Sequence, residues 1–158
     1  MYDAHAVGLY RYALMILADP SEAEDAVHQV FARLVRRDGR LRPLESGSDY
    51  LRAAVRNECF TVLRRRRRRR EGERTGILES VSPASGDDER LMVETGLRAL
   101  SAEQREVVYL KVYEGMTFEE IGRATSTPAN TAASRYRYAL AHLRDRLRGD
   151  DGGGTNET

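Results

Sequence analysis

What the chain lacks narrows its chemistry first. A single cysteine, Cys59, excludes an intramolecular disulfide, and the three histidines, His5, His28 and His142, are scattered singly, so no metal-ligand cluster is expected. No run of about 18 apolar residues occurs, which argues against a membrane-spanning helix. The start of the chain lacks the basic residues and apolar core of a signal peptide. No nucleophile–base pair, phosphate-cradling glycine loop or carboxylate constellation stands out, so an enzyme is the least favoured class. The expectation is a reduced, soluble, cytoplasmic protein that needs no cofactor and does not insert into a membrane.

Lysine is nearly absent as well. The 26 basic residues are 25 arginines and Lys111, and although the net charge is only +1 they are unevenly placed. From Arg33 to Arg70 fourteen arginines face four acids, a balance of +10; from Arg123 to Arg148 six arginines face Asp145 alone, a balance of +5. Two basic stretches separated by acidic ones suggest two contacts with a polyanion. With 158 residues, 41% of them hydrophobic, the chain can form one domain or two small ones with thin cores.

The segment from Leu100 to Leu147 carries the most organised pattern. Thr117 and Glu120 form a capping box, in which the hydroxyl accepts from a first-turn N–H and the carboxylate reaches back to the cap, so a short helix is expected from Phe118 with Phe118, Ile121 and Ala124 inward. Gly122 offers the bare backbone that lets a second helix cross closely. Thr125 and Ser126 make the turn, and Thr127-Pro128 supply a cap with proline at the first helical position. The next helix buries Ala132, Tyr136, Ala139, Leu140, Leu143 and Leu147 at three-and-four spacing. Opposite lie Asn130, Ala133, Ser134, Arg137 and Tyr138, with Arg135 at the flank. Small residues for close approach, with Asn and Arg for base edges or phosphates, are what a recognition helix turns to the major groove. An ordinary helical hairpin with a solvated basic face explains these residues equally well when they are taken alone.

Earlier in the chain, Ala4 to Leu17 reads as a helix with Val7, Tyr10, Leu14 and Leu17 on one side, stopped by Asp19-Pro20. Ser21 and Glu24 make a second capping box before the clearest periodicity in the protein, Ala23, Ala26, Val27, Val30, Phe31, Leu34 and Val35. Its other face shows Glu22, Asp25, Gln29 and Arg33, with Glu24 and His28 at the edges, either solvated surface or a partner site. Arg37 to Ser48 is an aperiodic loop. A third helix from Asp49 turns Leu51, Ala54, Val55, Cys59, Val62 and Leu63 inward and Arg52, Arg56 and Asn57 outward. It runs into the seven arginines 64–70, which are expected to fray unless an anion neutralises them; each guanidinium can fork onto a phosphate. Residues 71–88 carry four glycines or prolines and five acids and read as a flexible acidic linker. Helix resumes over Glu89 to Leu100. Ser101 and Gln104 cap a helix through Val107, Val108, Leu110 and Val112 that ends at Gly115. Residues 149–158 are a polar tail with no reason to fold.

Three stretches together resemble the sigma-70 family of bacterial RNA polymerase sigma factors, in its smallest form, the extracytoplasmic-function (ECF) group. Residues 19–31, DPSEAEDAVHQVF, resemble the family's second conserved region; Tyr50-Leu-Arg-Ala-Ala-Val-Arg-Asn followed by Leu63-Arg-Arg-Arg resembles the helix after it; residues 100–108 with residues 128–135 resemble its fourth region. The order of the three is more specific than any one of them. The resemblance implies an all-α fold of two small helical domains, 1–70 and 89–148, joined by the flexible linker, with a helix-turn-helix in the second. It implies that Glu22, Glu24, Asp25, His28 and Gln29 dock on core RNA polymerase. The loop at 37–48, with Arg52, Arg56, Asn57, Arg64, Arg65, Arg66 and Arg67, would hold the opened minus-ten strand of promoter DNA. Thr127, Asn130, Thr131, Ala133, Ser134, Arg135, Arg137 and Tyr138 would enter the minus-thirty-five major groove. An anti-sigma factor is a further candidate partner, since the family often has one. The chain departs from the family where Tyr50 replaces a usual tryptophan, Thr61 a common aspartate, Thr125 an apolar turn residue and Ala133 a frequent basic one. It also begins where the family usually already has a helix, so either the start is late or the first helix is short. The alternative is a stand-alone, dimeric helix-turn-helix regulator on paired half-sites.

Overall fold

The computed structural model describes residues 2–38, 48–72 and 96–151. Most of the expected loop at 37–48, the expected linker beyond Gly72, the helix onset at Glu89 and the tail beyond Asp151 lie outside the described residues, while Glu71 and Gly72, expected to open the linker, are the last residues of a helix. Every described element is helical or a connection between helices, and the chain divides into two compact units, Met1–Leu78 and Glu79–Thr158.

The first unit packs α1 (Tyr2–Leu17), α2 (Pro20–Asp38) and α3 (Ser48–Gly72) pairwise against one another. In α1 the buried line is Leu9, Tyr12, Ala13, Ile16 and Leu17, while Val7 is 49% exposed and Tyr10 and Leu14 are half-buried. The expected face was therefore turned by part of a revolution. Apolar residues lie all round this segment, so spacing alone does not choose which side meets the bundle.

The α1–α2 junction also differs from expectation. Asp19, not Ser21, caps α2: its Oδ1 accepts from the Glu22 N–H at 3.0 Å and its carbonyl from Ala23 at 3.0 Å. Pro20 then takes the first helical position, where its missing N–H would have no partner and its fixed φ already suits the helix. The α2 stripe is buried from Ala23 to Leu34, but Val35 at its end is 54% exposed.

In α3 the buried residues are Leu51, Val55 and Cys59, with Ala54, Val62 and Leu63 half-buried. Glu58 joins them, its carboxylate bonded by Arg33 of α2 at 2.6 Å. The helix does not fray at the arginines but continues through all seven to Gly72.

The second unit packs α4 (Ala102–Val112), α5 (Phe118–Thr125) and α6 (Ala129–Asp151) pairwise. Ser101 and Gln104 form the expected reciprocal capping box at 3.2 and 3.1 Å. Val107 and Leu110 are buried in α4, but Val112 is 59% exposed and Tyr109 takes the core position instead, stacked on Tyr113 at 5.3 Å. Gly115 has the left-handed φ of +63° that the terminator reading requires. Before α5 the Thr117 hydroxyl accepts from the Glu120 N–H, and the Glu120 carboxylate accepts from that same hydroxyl rather than from the Thr117 N–H. Half of that capping box is thus replaced by a side-chain pair.

Phe118 lies between the Lys111 ammonium, 4.5 Å from its ring centre, and the Tyr136 ring at 5.7 Å, and so joins α4, α5 and α6. In α6 Ala132 and Ala139 are buried and Tyr136, Leu140 and Leu143 half-buried, while Leu147 is 46% exposed. The helix extends to Asp151, past the expected start of the tail.

Candidate functional site

The turn between α5 and α6 is held from both sides. Gly122 is buried, and a Cβ on it would stand 2.7 Å from the Thr127 carbonyl oxygen and 3.3 Å from the Ala129 nitrogen. Only a bare backbone permits that crossing. Ser126 takes a left-handed φ of 56°, and the Thr127 N–H donates to the Gly122 carbonyl at 2.9 Å. Thr125 is buried, and its hydroxyl donates to the Ile121 carbonyl at 2.8 Å and lies 2.9 Å from the Thr127 hydroxyl. A polar residue thus occupies an apolar position without stranding its oxygen. The α6 boundary falls at Pro128, whose carbonyl accepts from Thr131 at 3.0 Å and Ala132 at 3.2 Å. Thr127, expected as the cap, spends its hydroxyl on the turn.

Among the predicted groove residues, Asn130, Arg137 and Tyr138 are exposed, Tyr138 by 69%. Thr127, Thr131, Ala133 and Ser134 are half-buried. Arg137 Nη2 donates to Ser134 Oγ at 3.3 Å, one turn back on the same face. Arg135 differs: its Nη1 is buried with no hydrogen-bond partner. Arg135 as a whole is half-buried, unlike the exposed Asn130 and Arg137.

In the first unit the arginine-bearing face of α3 is similarly sorted by its contacts. Arg52 bonds Asp49 at 3.2 Å, and its side chain is only 16% exposed. Arg56 lies over the Phe60 ring at 4.5 Å. Asn57 is exposed, and its carbonyl accepts from the Thr61 hydroxyl at 2.8 Å, which in turn accepts from Arg64 at 3.1 Å. Arg64, Arg65 and Arg67 are exposed, Arg67 standing 4.0 Å from Glu71.

Arg66 is not offered to solvent in the same way. It donates to the Leu17 carbonyl at 3.0 Å and to the Glu22 carboxylate. Burial pushes its pKa down, Asp19 opposes the shift, and Arg70 adds to it. Glu22, on the face assigned to polymerase, is therefore occupied by Arg66 in the free protein. Glu24, Asp25, His28 and Gln29 are exposed along α2.

Three buried charged residues were not anticipated from the sequence: Glu58, Arg105 and Glu106. Glu58 precedes Cys59 on the edge of the α3 stripe, and Arg105 and Glu106 precede Val107 in the same way, so their place beside the apolar line was the available signal. Arg105 Nη1 donates to the Leu100 carbonyl at 2.7 Å and ties the start of α4. Among the described residues no three side chains are grouped to hold a metal ion, and no helix is long and apolar enough to cross a membrane.

Comparison with known proteins matches both units to family models. The model described as "Sigma-70 region 2" matches residues 1–69, and "Sigma-70, region 4" matches residues 90–143. The RNA polymerase sigma-E factor of Streptomyces coelicolor is 30% identical over 141 residues, 88% of this chain and 79% of its own. The ECF RNA polymerase sigma factor SigL of Mycobacterium tuberculosis is 29% identical over 153 residues, 91% of this chain and 85% of its own. The fold matches that of the sigma factor RpoE of Bartonella quintana, solved with the anti-sigma factor NepR, with a TM-score of 0.71, 23% identity and 92% of each chain covered.

Proposed function

The chain belongs to the sigma-70 family, in its extracytoplasmic-function group, and from that premise we propose how its surfaces divide the work. As a sigma factor it binds core RNA polymerase and directs promoter-specific initiation. It is not an enzyme; strand opening is driven by binding energy while the polymerase does the chemistry.

In our reading, region 2 within residues 1–70 docks on the polymerase through Glu24, Asp25, His28 and Gln29, with Glu22 at the border. It holds the opened minus-ten strand with the exposed arginines of α3, where phosphate contacts supply affinity and stacked or pocketed bases supply selectivity. Region 4 within residues 89–148 lays α6 in the minus-thirty-five major groove, with Asn130, Arg137 and Tyr138 toward the bases and Thr127, Thr131, Ala133 and Ser134 allowing the backbone close. The residues between the two regions act as the tether. Because its partner enzyme works there, we assign the protein to the cytoplasm. An anti-sigma factor, the kind of partner with which RpoE was solved, is a further proposed partner.

The observation that carries the reading is the presence of both regions in order, each with an arginine-bearing face. A stand-alone dimeric regulator has no use for a region 2, and that alternative is not favoured. The test is transcription in vitro: purified protein added to core polymerase on a promoter library is expected to produce defined start sites sharing two upstream motifs. Failure to associate with core enzyme at low salt would overturn the assignment.

A further inference from the structure

Residues 64–70 ought to be the weakest part of α3. Like charges three and four residues apart repel on a helix, and this run contains every such pair, yet helix continues to Gly72. Arg66 is what distinguishes the run from a plain charge tract. Its side chain is 27% exposed, while the six arginines around it are all exposed. One guanidinium nitrogen bonds the Leu17 carbonyl, at the end of α1, where unpaired carbonyls collect partial negative charge. The other bonds Glu22 in the first turn of α2. A single side chain therefore ties α3 to the point where α1 hands over to α2.

Sequence phase supports the same placement. Leu51, Val55, Cys59, Val62 and Arg66 follow one another at steps of three or four, so Arg66 continues the core-facing line of α3 where its apolar residues run out. At about 100° per residue, Arg64 and Arg68 then fall on the opposite side, about 160° away, with Arg67 on the flank next to Arg64.

We propose that Arg66 is a positioning residue for the basic interface: its bonds to Leu17 and Glu22 keep the arginine run helical and in the phase that turns Arg64, Arg67 and Arg68 toward nucleic acid, while Arg66 itself grips no phosphate. The proposal rests on the reading of this run as a phosphate-binding face. It removes Arg66 from that face and adds Arg68, one turn beyond Arg64. It also means that the face is ordered when the domain folds, so binding does not bear the entropy of arranging a slack chain.

The test uses amide hydrogen exchange on the free full-length protein, together with the salt dependence of polymerase holoenzyme binding to promoter DNA already opened at the minus-ten region. Arg66→Gln is expected to speed exchange at least tenfold in residues 64–71. It is also expected to lower the slope of log K against log salt by two or more phosphate equivalents, about 0.7 each on single strands, although one charge is lost. Arg68→Gln is expected to lower the slope by one equivalent and leave exchange unchanged. If Arg66→Gln costs a single equivalent with exchange unaltered, Arg66 is an ordinary phosphate ligand and the proposal fails.

Should Arg66→Gln unfold the domain, Glu22→Gln decides, since it keeps all seven arginines: faster exchange confined to 64–71 supports the tie, and unchanged exchange overturns it. If Arg64→Gln, Arg67→Gln and Arg68→Gln all leave the slope unchanged, the run does not grip nucleic acid and the reading beneath the proposal fails. The exchange comparison still decides whether Arg66 orders the helix.

Discussion

Arg33 of α2 and Glu58 of α3 meet at 2.6 Å with unequal exposure, the guanidinium side chain 59% open and the carboxylate side chain 6%. Their loss should therefore be unequal too. Arg33→Ala strands a buried carboxylate, and the expected cost is about 1–3 kcal/mol of folding stability. Replacing both residues with apolar ones should recover most of it, a coupling visible in a double-mutant cycle by denaturant unfolding. Arg36→Ala, whose exposed side chain donates to the Ala32 carbonyl of its own helix at 3.4 Å, should change stability by less than about 0.5 kcal/mol.

Gly122→Ala sets two effects against each other. Alanine is the better helix former by about 1 kcal/mol, but here its Cβ would stand 2.7 Å from a backbone oxygen, which cannot swing aside as a side chain can. The clash is expected to win, with net destabilisation of about 1–3 kcal/mol and a wider angle between α5 and α6. Calorimetry of the full chain should show the second unit melting earlier and the first unchanged, and minus-thirty-five binding should fall with it.

Ser101→Ala removes one half of a reciprocal cap, the hydroxyl that accepts from the Gln104 N–H, and leaves the Ser101 N–H to donate to the Gln104 carbonyl oxygen. The expected loss is about 1 kcal/mol. Thr117→Ala should cost at least as much, because there the hydroxyl makes both bonds, accepting from the Glu120 N–H and donating to the Glu120 carboxylate. Thermal unfolding of the two variants side by side checks the ranking.

These comparisons show where sequence was sufficient. The α2 stripe, the Ser101 cap, the left-handed Gly115 and the bare Gly122 were legible because each rests on a local rule: periodicity, a side chain three residues from its N–H, or a backbone conformation open to few residue types. The face of α1 was not legible, because Val7, Tyr10 and Leu14 are as apolar as the Leu9, Tyr12 and Ile16 that are buried, and only the positions of α2 and α3 choose between them. Nor was the fate of the arginines. Seven identical letters predict one behaviour, while the fold gives Arg66 a carbonyl 49 residues away and leaves its neighbours in water. Arg135 and Arg137 divide in the same manner, two residues apart and on different sides of α6.

That division sets the last prediction. Arg137 is exposed, and Ser134 Oγ props its Nη2 at 3.3 Å, on the helix face that we propose enters the groove, with the small Ala133 and Ser134 beside it. A propped guanidinium at that depth suits the paired acceptors of a guanine edge better than a phosphate outside the groove. Arg137→Ala is therefore expected to cost about 1–3 kcal/mol at specific promoters and to relax selectivity at one base pair of the minus-thirty-five element, with little change in salt slope. Arg144→Ala lies a further two turns along α6, where the helix leaves the turn that positions it, and any loss should be uniform across sequences and accompanied by a drop of about 0.9 in slope. Binding measured on a set of single-base promoter variants at two salt concentrations separates the outcomes. A uniform loss for Arg137→Ala would make it a backbone contact and leave Asn130 and Tyr138 to carry selectivity.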